Sequence, residues 1–155
     1  MPASNQNASG TPLIPSRALN FSVNIDGPED PVDEGGDAVT IEETRKMPYD
    51  GIVSEVYIDI PNGVHSRAGF QVRDDERGSK QFPFDDESEY AAFNDVQDFW
   101  PVTFPMRKGD EILVKYINED HNTSGHFLKV WAIVVGIDAL PFTLQEMAER
   151  EGVSI

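Results

Sequence analysis

The stretch Ile52-Val53-Ser54-Glu55-Val56-Tyr57-Ile58-Asp59-Ile60 decides the fold class of this chain. Its apolar side chains recur at alternate positions, a period that is typical of a half-buried β-strand. The turn Pro61-Asn62-Gly63 follows directly and ends the strand. One predicted face carries Ile52, Ser54, Val56, Ile58 and Ile60, and the other carries Val53, Glu55, Tyr57 and Asp59.

Three further segments have the composition of β-strands: residues 68–72, 111–117 and 127–135. The last two form the strongest predicted pair, and the polar stretch 118–125 between them has the composition of a hairpin loop. Segment 127–135 is apolar on both faces except at Lys129, which predicts a central strand covered on both sides. Short strands separated by Gly and Pro predict an all-β fold, an antiparallel β-sandwich of jelly-roll type.

Two short helices are predicted to accompany these strands. Residues 88–99 carry aromatic and apolar side chains at a spacing of three, with carboxylates around the start that suit a helix N-terminus. Trp100-Pro101 would end that helix. Near the end of the sequence, Thr143-Leu144-Gln145-Glu146 forms a capping box and Gly152 suits the position after a helix, which predicts a helix of two turns.

Residues 1–36 differ in composition from the rest and are rich in Asn, Ser, Gly, Pro and Asp. Such a segment buries too little apolar surface to order itself. We therefore predict an extended N-terminal arm and linker over 1–36 and a β-sandwich domain over 37–155. Within the arm, residues 19–25 alternate apolar and polar. They suit either addition to a neighbour's sheet edge or the first strand of the chain's own sheet. The predicted subunit contacts are Leu13, Ile14, Leu19, Phe21, Val23 and Ile25.

The charge of the chain is strongly one-signed, with 28 acidic and 12 basic residues and a formal net charge of −16. Such a surface repels itself, and molar salt screens that repulsion because the Debye length falls to about 3 Å. The composition predicts a protein of a high-salt environment, with an ordinary acidic domain as the alternative. The missing basic stripe argues against direct nucleic-acid binding. No apolar run reaches the roughly 18 residues of a membrane span, and the lack of Cys removes disulfides and thiolate chemistry.

The loop 118–126 is the densest cluster of candidate ligands. Asn118, Asp120 and Asn122 resemble the opening of a calcium loop, but Thr123 replaces the required Gly and Lys129 replaces the closing Glu. A cation site at these three residues remains an alternative to an ordinary loop rich in turn-forming residues. His65, His121 and His126 do not match a closed zinc site, so we expect no cofactor.

A set of aromatic residues suits either a sugar-stacking platform or core packing, and its helical spacing and prolines favour the core. No grouping of Ser, His and acidic residues predicts a catalytic site. The set comprises Phe82, Phe84, Tyr90, Phe93, Phe99, Trp100 and Phe104.

The arm over 1–36, the strands that follow it between residues 52 and 135, and the acidic composition together resemble the small virion proteins of tailed viruses that infect halophilic archaea. The resemblance is one of layout and composition, and no motif transfers a functional residue. It implies a capsid, decoration or turret component in symmetric oligomers, made in the host cytoplasm and located in the virion. The implied partners are further copies and other virion structural proteins. An extracellular carbohydrate- or cation-binding β-sandwich module is the main alternative, and a hydrolase is the third.

Overall fold

The computed structural model describes residues 16–74, 81–82, 90–121, 125–139, 146 and 149–150. These residues form ten strands in two antiparallel sheets, which confirms the predicted all-β sandwich; its jelly-roll form stays a prediction. The first sheet has the order β1-β10-β4-β8, with β2 also paired to β10. The second has the order β3-β9-β5-β6, with β7 also paired to β5. The strands are β1 Ser16–Asn20, β2 Val23–Ile25, β3 Val39–Lys46, β4 Gly51–Ile60, β5 Ala68–Asp74, β6 Gln81–Phe82, β7 Ala91–Ala92, β8 Val96–Met106, β9 Glu111–Asn118 and β10 His126–Gly136.

The core lies between the two sheets and is built from alternate positions of their strands. β10 places every second side chain from Leu128 to Val134 inside, and β5 and β9 supply the opposite wall. Burial of such side chains stabilises the fold by about 1.5–3 kcal/mol each. The largest fully buried apolar and aromatic side chains are Tyr116, Phe21, Phe70, Ile25, Met47, Ile58, Ile60, Met106, Ile112 and Leu128.

A bulge in β4 changes the predicted alternation of its faces. From Val56 to Ile60 the prediction is correct, because Val56, Ile58 and Ile60 point into the core. Between Val53 and Glu55 the register shifts against β8, and a matching shift occurs opposite it in β10. An inserted residue reverses the side-chain parity beyond it. Val53 is therefore fully buried rather than on the opposite face, while the Ser54 hydroxyl donates to the carbonyl of Ile133 at 3.3 Å.

The predicted pairing of segments 111–117 and 127–135 is wrong. Both segments are strands, but β9 lies in the second sheet and β10 in the first, so the stretch between them crosses from one sheet to the other. β10 is central, as predicted, with β1 and β2 on one side and β4 on the other. The described residues cover it on one face: Leu128 is buried, whereas the neighbouring Phe127 is 49% exposed.

The predicted helix over 88–99 is also wrong, since the described part of that segment forms β7 and the start of β8. Asp95 has a φ of 53°, a left-handed conformation that interrupts the chain just before β8. From Trp100 to Phe104 the half-buried and buried positions follow a period of two, the pattern of a strand, and the predicted helical spacing runs across the turn at Asp95. Pro101 and Pro105 lie in β8, an edge strand, where a missing N–H is tolerated.

Little of the predicted C-terminal helix falls among the described residues. Glu146, Glu149 and Arg150 have helical backbone, whereas the proposed cap at Thr143 and the stop at Gly152 lie outside the described residues. Within the described parts of the chain, no helix has the length and apolar character that a membrane crossing needs.

The segment 19–25 belongs to the chain's own first sheet, which is the second of its two predicted alternatives. β1 and β2 both pair with β10, and Phe21 and Ile25 are fully buried in the core. Leu19 and Val23 pack against the same core. These four residues contact their own chain, and their role as subunit contacts stays a prediction. Leu13 and Ile14 lie outside the described residues.

Candidate functional site

The predicted cation ligand Asn118 has a structural role at the end of β9. Its side chain is fully buried, and its Nδ2 donates to the carbonyl of Ile25 at 2.8 Å. Its Oδ1 accepts the backbone N–H of Asp120, also at 2.8 Å. The amide therefore joins β2 to the chain after β9 and has its oxygen engaged. Asn122, the third predicted ligand, lies outside the described residues.

Asp120 is 8% exposed and lies among hydrogen-bond donors rather than among other carboxylates. Its Oδ2 is 2.9 Å from Nε2 of His126, and its Oδ1 is 4.0 Å from Nε of Arg67. His121 instead approaches the carbonyl of Pro28, with Nδ1 at 3.3 Å. Across the described ranges, no group of three or more His, Asp or Glu side chains is placed to hold a metal ion. The structure thus brings two of the predicted ligands together as part of the fold's hydrogen bonding.

Two tyrosine hydroxyls donate hydrogen bonds to backbone carbonyls of the first sheet and of the residues that join β1 to β2. The hydroxyl of Tyr116 donates to the carbonyl of Phe21, and that of Tyr49 donates to the carbonyl of Val134 at 3.1 Å. Burial, with a smaller contribution from Glu43, raises the pKa of Tyr116 far above its usual value. Burial also raises the pKa of Tyr49. Both hydroxyls therefore remain protonated donors at neutral pH, and neither is prepared to act as a general base.

The outer faces of the two sheets differ in chemistry. In the second sheet, the outward positions of β3 are Thr40, Glu42 and Thr44. Glu42 pairs with Lys115 of β9, with Oε2 3.9 Å from Nζ. This face is polar along its edge, as expected for a strand in contact with water.

The outer face of the first sheet carries aromatic side chains instead. Trp131 of β10, Tyr57 of β4 and Phe99 of β8 are register partners and form one row across three strands. The rings of Tyr57 and Phe99 are 4.7 Å apart between centroids and tilted by 46°. Phe99 is 54% exposed, and Trp131 and Tyr57 are half-buried. Together with its neighbours we call this surface the aromatic face, defined by Trp131, Tyr57, Phe99, Phe127, Ile133 and Pro101.

Few charges lie on the aromatic face, and they are partly paired with one another. Lys129 and Asp59 are register partners, with Nζ and Oδ2 3.8 Å apart, and Gln97 donates to the other oxygen of Asp59 at 3.2 Å. Lys129 also lies over the ring of Phe127, 5.6 Å from its centroid. Glu55 occupies the row between Ile133 and Pro101. The formal charges of Lys129, Asp59 and Glu55 sum to −1, whereas the formal net charge of the whole chain is −16.

The sequence prediction located only part of this surface. From the aromatic set, Phe104 is buried, and Phe93 and Trp100 meet edge to face at 4.9 Å against the core, which agrees with core packing. Phe99 does not fit the core-packing interpretation, because its ring lies on the outer face of the sheet. Phe84 lies outside the described residues. The missed members are Tyr57, Trp131 and Phe127. Alternation along β4 is the signal for Tyr57, whereas Trp131 and Phe127 belong to the continuous apolar run of β10, which predicts cover on both sides.

The described residues of the aromatic face form an open surface rather than a deep cleft. A shallow depression of about 410 Å³ borders it and is lined by Asp59, Pro61, Phe127 and Lys129. Such a surface suits contact with another surface or a flat ligand more than enclosure of a small substrate. No protein-family model, curated protein or solved structure matches this chain.

Proposed function

We propose that the chain is a non-enzymatic structural protein that works as one subunit of an assembly, a capsid, decoration or turret component of a virus particle in high salt. The observation that carries this proposal is the aromatic face. Phe99 and Phe127 are among the large apolar side chains that the described surface leaves exposed. Apolar patches with a polar rim mark interaction sites. Protein interfaces are enriched in Tyr, Trp and Phe, and this face carries all three in one row across three strands.

The acidic composition supports the same proposal. With a net charge of −16, subunits at low ionic strength repel one another at long range. At about 2–3 M salt the repulsion acts over only a few ångströms, while apolar burial is retained. An assembly built from this chain is therefore expected to need salt, which fits a particle that persists in brine.

The mass of the full chain in solution, measured by light scattering at about 0.15 M and about 2–3 M salt, tests the proposal. We expect a defined oligomer in the higher salt and dissociation in the lower. A folded monomer under both conditions would overturn it. A variant that lacks residues 1–15 tests whether this part of the arm is needed for the oligomer. Residues 16–25 are kept because they belong to the first sheet.

A carbohydrate-binding module is the second candidate, and the row of Trp131, Tyr57 and Phe99 supports it because aromatic rings stack on sugars. The tilt of 46° between two of these rings is less suited to one flat platform. Depletion of the protein from solution by insoluble cellulose or chitin would favour this candidate. The cation-binding variant of the alternative has less support, since the Asn118 oxygen already accepts a backbone hydrogen bond.

A further inference from the structure

We propose that the aromatic face is covered by a second copy of this chain, packed face to face about a two-fold axis that runs along β4. The inference rests on the proposed function and deepens it by naming the partner of that surface. It follows from the distribution of charge and from the register of the first sheet.

Charge selects this face for contact between copies. Acidic residues outnumber basic ones by 16 in the chain, so most approaches of two copies bring carboxylates together. On the aromatic face, Asp59 already interacts with Lys129 and Gln97, whereas Glu55 carries the remaining negative charge. Contact through these faces therefore brings fewer carboxylates together than the net charge of the chain leads us to expect.

The register makes the face complementary to itself. Tyr57 is the middle residue of the aromatic row, with Trp131 on one side and Phe99 on the other. A two-fold axis along β4 places Tyr57 opposite its own copy and Trp131 opposite the Phe99 of the second chain. The next row likewise sets Ile133 against Pro101. An interface of this kind, in which one patch meets the same patch, is the commonest in homodimers.

The axis also fixes where the charges of the face meet. Asp59 and Glu55 both belong to β4, so each is placed opposite its own copy, and like charges that face each other weaken association. Lys129 is placed opposite the Gln97 of the second copy and beside its Asp59, where it can interact with both Asp59 carboxylates, which leaves the Glu55 pair without a compensating charge. This contact gives the interface a dependence on salt, since screening reduces the repulsion.

Site-specific cross-linking tests the arrangement, because the chain has no cysteine and one introduced thiol is unique. Tyr57→Cys and Glu55→Cys lie on the proposed axis, and Thr44→Cys on the outer face of the second sheet is the matched control. Facing sheets lie about 10 Å apart, so a bismaleimide of that span joins residues on the axis. We expect at least a tenfold higher yield of covalent dimer in about 2–3 M salt from the first two variants than from the control.

The outcomes separate this inference from the proposed function. If the unmodified chain is oligomeric but both axis variants cross-link no better than Thr44→Cys, the face-to-face dimer is wrong and the structural role stands. If the unmodified chain is monomeric at every salt concentration, both are wrong. Glu55→Cys keeps the aromatic row and removes a like-charge contact, so loss of the Tyr57 ring cannot by itself explain a negative result. Binding of cellulose or chitin that Phe99→Ala abolishes in a monomeric chain would assign the face to polysaccharide instead.

Discussion

Replacing Phe21 by Ala tests whether the N-terminal segment is part of the sandwich or an arm for a neighbour. Phe21 is fully buried in the chain's own core, its carbonyl accepts the hydroxyl of Tyr116, and the guanidinium of Arg45 lies 5.4 Å from its ring centroid. Truncation of a buried Phe costs about 3–5 kcal/mol of unfolding free energy. Phe127→Ala removes the same atoms from a ring that is 49% exposed, and we expect a loss of no more than about 1 kcal/mol.

Urea denaturation at fixed high salt, followed by tryptophan fluorescence, measures both variants. With a urea dependence of about 2 kcal/mol per M, Phe21→Ala is expected to lower the midpoint by about 2 M and Phe127→Ala by about 0.5 M or less. Phe21→Leu keeps most of the volume, is expected to lose about 1 kcal/mol, and remains measurable if the Ala variant does not fold. A midpoint for Phe21→Ala equal to that of the unmodified chain, with altered oligomer mass, would refute the placement of this segment in the core.

Three further substitutions test the hydrogen bond of Tyr116 and the role of the aromatic face. Tyr116→Phe leaves the carbonyl of Phe21 without its buried donor and is expected to cost about 1–3 kcal/mol in urea denaturation. Because the folded pKa of Tyr116 is raised above the unfolded value, stability is present below about pH 10 and falls as pH rises beyond it. Tyr116→Phe should reduce that alkaline loss, and an unchanged pH profile would contradict the assignment. Phe99→Ala is expected to weaken self-association about tenfold or more with little change in the urea midpoint. Glu55→Gln is expected to strengthen self-association roughly fivefold at moderate salt, measured by sedimentation, whereas Glu42→Gln on the other sheet should leave it unchanged.

Much of the fold could be predicted from local patterns. The alternation that ends at Ile60 identified β4, because a period of two is typical of a strand, and the short continuous apolar run at 127–135 identified β10 as a buried strand. The bulge at Ser54 could not be predicted, since it depends on how β4 fits two neighbours at once. The pairing partners of the strands could not be predicted either. β9 and β10 are adjacent in sequence but lie in different sheets, because strand pairing depends on packing across the whole core.

The error around β8 has a local cause, and the ligand prediction for the loop after β9 rested on little more than residue type. The spacing of Tyr90, Phe93 and Val96 suggested a helix, but the turn at Asp95 places the last of them at the start of a new strand. Asn118 and Asp120 were predicted as ligands from residue type alone. A buried amide satisfies its hydrogen bonds within the protein when backbone groups are near, and the proximity of Ile25 to Asn118 depends on the long-range pairing of β2.

The incorrect prediction of burial for β10 carries functional information. Its sequence has the apolar pattern of a strand covered on both faces, yet among the described residues only the face of Leu128 is covered, and Trp131 and Ile133 remain half-exposed beside Tyr57 and Phe99. A strand that faces water on one side ordinarily alternates with polar residues, as β3 does in the second sheet. The apolar outer positions of β10 are those that the proposed second copy would cover. A second sandwich that presents the same face would complete, across two chains, the burial that this strand's sequence specifies.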